Sequence, residues 1–124
     1  ERTLLTWGNC VELSLEAATQ MADTVSVEII DLRSIVPWDR ETIVESLKKT
    51  GRLVVVQEDV RSASVGQMLI SELSTDDTSF YTLLNSPELV SRPDVHIGYN
   101  PILEYAALPS IEDIKAAVQI TVDN

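Results

Sequence analysis

The sequence contains little sulfur, little histidine and little positive charge. One cysteine and one histidine among 124 residues exclude an internal disulfide and a zinc site built from the usual Cys and His ligands. Nine Lys and Arg residues accompany twenty Asp and Glu residues, which gives a net charge of −11. Nucleic-acid binding depends on clustered cations that neutralise phosphates. The composition therefore argues against a nucleic-acid partner and favours a basic protein partner.

Long apolar runs are also missing. No run approaches the roughly 20 residues that span a bilayer, and the first residues begin a strand-like pattern without a signal peptide. We therefore expect no membrane partner and a reducing location, cytoplasmic or the mitochondrial matrix of a eukaryote. The length suits one domain over residues 1–124. The missing initiator Met favours a fragment of a longer polypeptide, with designed truncation as the alternative.

The clearest pattern in the chain predicts a βαβ unit. Val25, Val27 and Ile29 alternate with polar residues and are followed by Ile30 and Leu32, which is typical of a strand that passes from a partly covered to a fully covered position. After a proline-containing turn, Asp39 is placed to cap a helix over 40–50, and Gly51 supplies a left-handed end. The run 53–56 has no polar alternation, which indicates a central parallel strand covered on both faces.

The rest of the chain predicts further alternation of strands and helices. Asn9 is expected to cap a helix whose buried face is formed by Val11, Leu15 and Ala18. Ser64 and Gln67 form a capping-box pattern, as do Ser110 and Asp113. The remaining expected features are a strand over 3–6, an exterior Glu45–Lys49 pair, an internal loop over 74–79, a helical turn over 80–84, a strand over 88–92, and a strand or extended edge over 95–99.

This order predicts an α/β fold, a three-layer α/β/α sandwich around a mostly parallel, mixed sheet of about five strands. The acidic excess is concentrated in the second half of the chain. Residues 63–124 carry nine acids and two bases, so this half contributes −7 of the net charge. An ordinary solvated surface is the more common explanation for such an excess.

Several stretches resemble the C-terminal domain of the transketolase-like family. They are Glu28-Ile29-Ile30-Asp31-Leu32-Arg33, the Pro37-Trp38-Asp39 turn, Lys49-Thr50-Gly51-Arg52-Leu53-Val54-Val55-Val56, Trp7-Gly8, and Leu108-Pro109-Ser110. Within the family the similarity is greatest to the beta subunit, or fused beta half, of the decarboxylating component of 2-oxo acid dehydrogenase complexes. The segment 61–66 departs from the glycine-rich stretch that is common in the family.

The resemblance implies a part in oxidative decarboxylation of a 2-oxo acid, with acyl transfer to a lipoyl group. Thiamine diphosphate and magnesium would lie between other domains of the parent enzyme. The implied partners are those domains and subunits, a second copy of the beta-type chain, and the basic binding domain of the acyltransferase. The chain has no Gly-Asp-Gly element for the coenzyme's diphosphate and metal, and no glycine-rich nucleotide motif. We therefore expect the isolated chain to bind no cofactor or metal and to be inactive.

No catalytic, cofactor-binding or metal-binding residue is predicted. The candidates for strand-end or interface roles are Asp31, Arg33, Trp38, Glu58, Ser64 and Gly66. Charges at strand ends orient loops more often than they bind ligands or partners, so local pairing of Asp31 with Arg33 is the favoured interpretation. His96 is expected at the surface and Cys10 as a buried packing residue.

Three functions remain open from the sequence. The leading hypothesis is an assembly domain that pairs subunits and contributes to acyltransferase docking. The second is a stand-alone small-molecule-binding α/β domain that uses the strand ends near Arg33 and Glu58. The third is the equivalent domain of a transketolase or deoxyxylulose-phosphate synthase.

Overall fold

The computed structural model describes all 124 residues as a parallel sheet between two helical layers. The sheet order is β2-β1-β3-β4, and every neighbouring pair is parallel. The strands are β1 (Arg2–Thr6), β2 (Val27–Asp31), β3 (Leu53–Val60) and β4 (Glu88–Arg92). The helices are α1 (Cys10–Met21), α2 (Arg40–Thr50), α3 (Val65–Thr75), α4 (Asp77–Phe80), α5 (Pro101–Ala107) and α6 (Ile111–Asp123).

The predicted three-layer α/β/α architecture is confirmed, with two corrections to the sheet. It contains four strands rather than about five, and it is wholly parallel rather than mixed. The missing strand is the one expected over 95–99, where the chain bends without pairing to the sheet. Residues 94–95 form a bend, which turns the chain away from β4.

Two apolar clusters, one on each face of the sheet, form the core. Val54 and Val56 of β3 pack with residues of α1 and α6, whereas Leu53 and Val55 pack with residues of α2 and α3. All four side chains have no exposed surface. This double covering confirms the prediction from the uninterrupted apolar run.

Helix α2 begins and ends as the sequence predicts. The Asp39 carboxylate accepts a hydrogen bond from the Thr42 amide at 3.1 Å, and Gly51 adopts a left-handed φ of 65°. The expected Glu45–Lys49 pair is wrong. Glu45 instead pairs with Lys48, and Lys49 reaches across to Glu28 of β2 at 2.9 Å.

Helix α1 buries a different face from the one predicted. Its buried residues are Cys10, Ser14, Ala17 and Met21, while Leu15 is 52% exposed. The side chain of Asn9 makes no capping hydrogen bond. Small residues on the buried face let α1 pack closely against the sheet and α6, so side-chain volume rather than hydrophobicity sets its orientation.

Three corrections concern the second half of the chain. The expected loop over 74–79 is mostly helical, because α3 runs through Thr75 and α4 starts at Asp77. The helical turn expected over 80–84 lies earlier, as α4, and ends at Phe80. Helix α5 was not predicted, although its signals are present: the Asn100 side chain accepts from the Ile102 amide at 2.8 Å, and Pro101 follows at the first helical position. None of the six helices combines the length and the apolar character that a membrane-spanning helix needs.

Candidate functional site: the carboxyl edge of the sheet

The carboxyl ends of the parallel strands meet at one edge of the sheet, where ligands bind in many open α/β folds. A cleft of about 550 Å³ lies at this edge, between the first turns of α1 and α6 and the inner side of α5. We call it the edge cleft. Its volume is within the range of small-molecule pockets.

Three carboxylates line the edge cleft: Glu12 of α1, Glu58 of β3 and Glu104 of α5. Cys10 also lines it, but only 1% of this residue is exposed. Burial, together with the charge of Glu58, raises the pKa of the Cys10 thiol to about 11. The thiol therefore stays protonated near neutral pH, as expected for a packing residue and not for a nucleophile.

The edge cleft does not fit thiamine diphosphate and magnesium. A diphosphate needs cations that neutralise its charge, whereas the charged residues lining this cleft are all acidic and would repel it. No group of three or more His, Cys, Asp or Glu side chains is arranged to hold a metal ion. We therefore assign no coenzyme chemistry to these residues.

The predicted strand-end charges do not form one site. Arg33 donates from Nε to Asp31 Oδ2 at 2.5 Å, and its side chain is 87% exposed. The local pair favoured from the sequence is therefore present beside the end of β2. Glu58 lies on β3, where it borders the edge cleft. An interface role for these three residues stays a prediction.

Trp38 lies in the turn between β2 and α2 and is partly buried against the α2–α3 cluster. The guanidinium of Arg40 lies 5.6 Å from the centre of its ring. Arg40 also contacts Asp76 at 3.2 Å, which joins this turn to the end of α3. One face of Trp38 is thus held by the fold, while the turn itself borders an open surface groove.

Ser64 and Gly66 organise the start of α3. The Ser64 hydroxyl accepts from the Gln67 amide at 3.3 Å, which confirms the cap. The Gln67 side chain returns to the Ala63 amide rather than to that of Ser64. The Gly66 amide donates to Gln57 Oε1 at 2.8 Å, and a Cβ at position 66 would lie only 2.7 Å from that atom.

Gln57 is a structural residue that the sequence analysis missed. It has no exposed surface, and its amide nitrogen donates to the Val60 carbonyl at 3.0 Å. The pairing register of β3 with β4 shifts between Val56 and Val60, so this side chain bridges the irregular part of the strand. The available signal was an uncharged polar residue placed directly after four apolar ones and before the charged Glu58 and Asp59.

Large apolar side chains are exposed in two patches, one of which reaches the edge cleft at Tyr105. The smaller comprises Phe80, Tyr81 and Leu84 and is called the 80–84 patch. The larger, called the 95–105 patch, comprises Val95, Ile97, Tyr99, Ile102, Leu103 and Tyr105. His96 is exposed beside this second patch, as predicted.

These features define a parallel α/β domain with a closed core, an acidic edge and uncovered apolar surface. The chain belongs to the transketolase C-terminal domain family, whose model matches residues 1–114. The predicted family resemblance is therefore confirmed.

Curated relatives are beta subunits of larger enzymes. The chain is 42% identical over 119 residues to the pyruvate dehydrogenase E1 component subunit beta of Rickettsia conorii, covering 94% of this chain and 36% of the relative. It is 33% identical over 120 residues to the acetoin:2,6-dichlorophenolindophenol oxidoreductase subunit beta of Cupriavidus necator, covering 96% of this chain and 35% of that protein. The chain thus spans about a third of the length of these relatives.

A solved structure has the same fold. It is described as a split gene transketolase, inactive beta4 tetramer, and superposes with a TM-score of 0.82 at 27% identity. The match covers 99% of this chain and 39% of the other.

Proposed function

We propose that the domain is an assembly domain of a thiamine-diphosphate-dependent 2-oxo acid dehydrogenase. In this role it joins subunits of the parent enzyme, while the coenzyme and magnesium lie in other domains. The parent would decarboxylate pyruvate or a branched-chain 2-oxo acid oxidatively and pass the acyl group to a lipoyl group. Relatives named as pyruvate dehydrogenase beta subunits support this choice of parent.

The uncovered apolar surface is the observation that carries the assembly role. Thirteen large hydrophobic residues are exposed on a domain whose core is already closed on both faces of the sheet. The carboxyl edge, where a catalytic domain of this architecture would bind an anionic coenzyme, is lined by carboxylates. Surface contact rather than chemistry is therefore the function that these residues fit best.

A domain exchange tests the assembly role in a complete enzyme. The chain would replace the matching third of the Rickettsia conorii beta subunit, and a subunit lacking that third would be the control. We expect the exchanged subunit, and not the truncated one, to copurify with its partner subunits and to restore coenzyme-dependent pyruvate decarboxylation. A well-folded exchanged subunit that assembles no better than the truncated one would refute the proposal.

The isolated chain provides an independent test of where the coenzyme lies. Titration calorimetry with thiamine diphosphate and Mg²⁺ should show no saturable heat, and the chain alone should not consume pyruvate. Tight coenzyme binding by these 124 residues would place the cofactor site in this domain and overturn the assignment.

Docking of the acyltransferase's basic binding domain is the finer part of the proposal. The −7 charge of residues 63–124 provides an attractive surface for it. Attraction of this kind is screened by salt, so the affinity should fall steeply between about 50 and about 500 mM NaCl. Binding that is absent or independent of salt would remove the electrostatic part.

The edge cleft supports a second candidate function, a small-molecule-binding domain. Its volume of about 550 Å³ and its acidic lining suit a cationic ligand better than an anionic one. A thermal-shift screen of amines and amino acids would show a specific ligand as a rise in Tm that grows with concentration. The equivalent domain of a transketolase or deoxyxylulose-phosphate synthase is the alternative parent, and the split gene transketolase neighbour agrees with it.

A further inference from the structure

The edge cleft lies where the chain leaves two neighbouring strands in opposite directions. Strands β1 and β3 pair in the middle of the sheet. After β1 the chain enters α1, which packs on one face of the sheet, whereas after β3 it enters α3, which packs on the other face. Such a divergence opens a crevice at the carboxyl edge, where open α/β sheets bind their ligands. The edge cleft occupies this crevice, because the start of α1 and Glu58 of β3 both line it.

Helix α1 brings unsatisfied amides to the edge cleft. Each of the other five helices begins with a side chain that accepts a hydrogen bond from a first-turn amide: Asp39, Ser64, Asp76, Asn100 or Ser110. Asn9 makes no such bond, and the amides of Cys10 and Glu12 have no acceptor in the protein. Free amides at the start of a 12-residue helix, together with the helix dipole, attract a carboxylate. One wall of the cleft is therefore suited to the anionic end of a ligand.

Unpaired carboxylates lie in the same cleft. Glu12, Glu58 and Glu104 line it, and none of them forms a salt bridge. Glu58 lies near the first turn of α1, since its charge contributes, after burial, to the raised pKa of the Cys10 thiol. An ammonium group at this place would gain charge-assisted hydrogen bonds. The cleft thus offers donors for an anion and acceptors for a cation.

Two further features distinguish the edge cleft from an ordinary acidic surface. Cys10, which lines it, is only 1% exposed, and its thiol has no hydrogen-bond partner, so an unpaired buried polar group faces the cavity. Leu13, Leu108 and Ile111, all partly buried, provide an apolar wall. Small-molecule pockets combine such walls with a few polar groups that fix the orientation of the ligand. The lining therefore suits a ligand with an apolar part and two opposite charges.

We propose that the edge cleft binds a free α-amino acid with a large apolar side chain. Its carboxylate accepts hydrogen bonds from the amides of Cys10 and Glu12, its ammonium group donates to Glu58, and its side chain packs on Leu13 and Ile111. The two charged groups of an α-amino acid are attached to one carbon atom, which matches the nearness of Glu58 to the start of α1. This inference rests on the second candidate function, the small-molecule-binding domain, and names its class of ligand.

A series of four compounds tests the three contacts. The 124-residue chain, labelled with nitrogen-15, is titrated with L-leucine while its amide chemical shifts are followed by NMR. We expect saturable shifts at the amides of Cys10 and Glu12. L-leucinamide lacks the carboxylate, 4-methylpentanoate lacks the ammonium group, and glycine lacks the apolar side chain. Each should bind about tenfold more weakly or worse, because each leaves one contact unmade.

Glu58→Gln tests the ammonium contact separately. It keeps the size of the side chain and removes the charge, so it should raise the dissociation constant of L-leucine about tenfold or more. Glu41→Gln is the matched control, because Glu41 is also exposed and without a salt bridge but lies in the first turn of α2, outside the cleft. It removes the same charge from the chain and should change the constant less than about twofold. Thermal unfolding followed by circular dichroism confirms that both variants fold.

The outcomes separate this inference from the functions on which it depends. L-leucinamide that binds as tightly as L-leucine overturns the amino-acid assignment and leaves a site for simple cations. Equal weakening by Glu58→Gln and Glu41→Gln overturns the ammonium contact and the proposal with it. Failure of all four compounds to bind also overturns the inference, and the thermal-shift screen then decides whether the cleft binds any small molecule. The domain exchange measures assembly and is independent of these results.

Discussion

Alanine in place of Ser46 is expected to destabilise the domain, whereas the same change at Ser14 is not. The two serines are equally buried, with 2% and 0% exposure. The Ser46 hydroxyl lies 2.6 Å from Thr3 Oγ1 and donates to Glu28 Oε2 at 2.5 Å. The Ser14 hydroxyl has no hydrogen-bond partner. The pair therefore separates the effect of hydrogen bonding from that of burial.

The magnitude follows from the bonds that each change removes. A hydrogen bond to a charged group contributes about 1.5–3 kcal/mol to stability. A third of the Glu28 side chain is exposed, at 33%, and Thr3 keeps a second partner in Thr50 at 2.7 Å. We therefore expect Ser46→Ala to cost about 2 kcal/mol, at the lower part of that range. Ser14→Ala removes an unpaired buried hydroxyl and should stabilise by about 1 kcal/mol.

The cost of Ser46→Ala should depend on pH. The hydrogen bond from Ser46, and then that from Lys49, lowers the pKa of Glu28 below its ordinary value. A carboxyl group with a lowered pKa in the folded state stabilises above its unfolded pKa of about 4.3, and this stability is lost as the pH falls through the lower value. Ser46→Ala removes the hydrogen bond that contributes most to the lowered pKa of Glu28. The difference in stability between the original chain and Ser46→Ala should therefore be greatest near neutral pH and shrink in acid.

Urea unfolding at pH 7 and in acid measures both the cost and its pH dependence. Carbon-13 NMR of the Glu28 carboxyl group gives its pKa in the original chain and in Ser46→Ala. Equal losses at Ser14 and Ser46 would show that burial alone decides the cost. A Glu28 carboxyl group that titrates at its ordinary pKa in the original chain would refute the assignment of the hydrogen bond.

Three further predictions concern single positions. Ala63 has a positive φ of 53°, so Ala63→Gly should raise the free energy of unfolding by up to about 1 kcal/mol. Ala22 has an ordinary φ of −56°, so the control Ala22→Gly should lower the free energy of unfolding; urea unfolding measures both. Gly66→Ala places a Cβ 2.7 Å from Gln57 Oε1 and Leu89 Cδ1, and should lower the urea midpoint by the equivalent of about 1–3 kcal/mol; an unchanged midpoint would contradict the close packing. Because the pKa of Cys10 is raised in the folded chain, the thiol of the unfolded chain ionises at a lower pH than that of the folded chain. The free energy of unfolding should therefore fall as the pH rises from about 9 to about 11, and this fall should be absent in Cys10→Ala.

Local chemistry explains which elements the sequence predicts. The βαβ unit follows from adjacent signals, since the Asp39 cap, the Gly51 end and the apolar run 53–56 act within a few residues of the structures that they set. The buried face of α1 does not follow from such local signals. Ser14 and Ala17 face inward because α6 packs closely there, while the more hydrophobic Leu15 faces solvent. Tertiary packing outweighed residue hydrophobicity at this helix.

Contacts between distant parts of the chain, in the core as well as at the candidate site, could not be predicted from local signals. Thr3 and Ser46 are 43 residues apart, and only the folded sheet brings them together. The edge cleft joins Glu12, Glu58 and Glu104, which no spacing rule connects. A seven-residue helix with exposed apolar residues also lacks the inward apolar face by which an amphipathic pattern is recognised. The outward-facing apolar residues of α5 were therefore recognised only from their exposure in the structure.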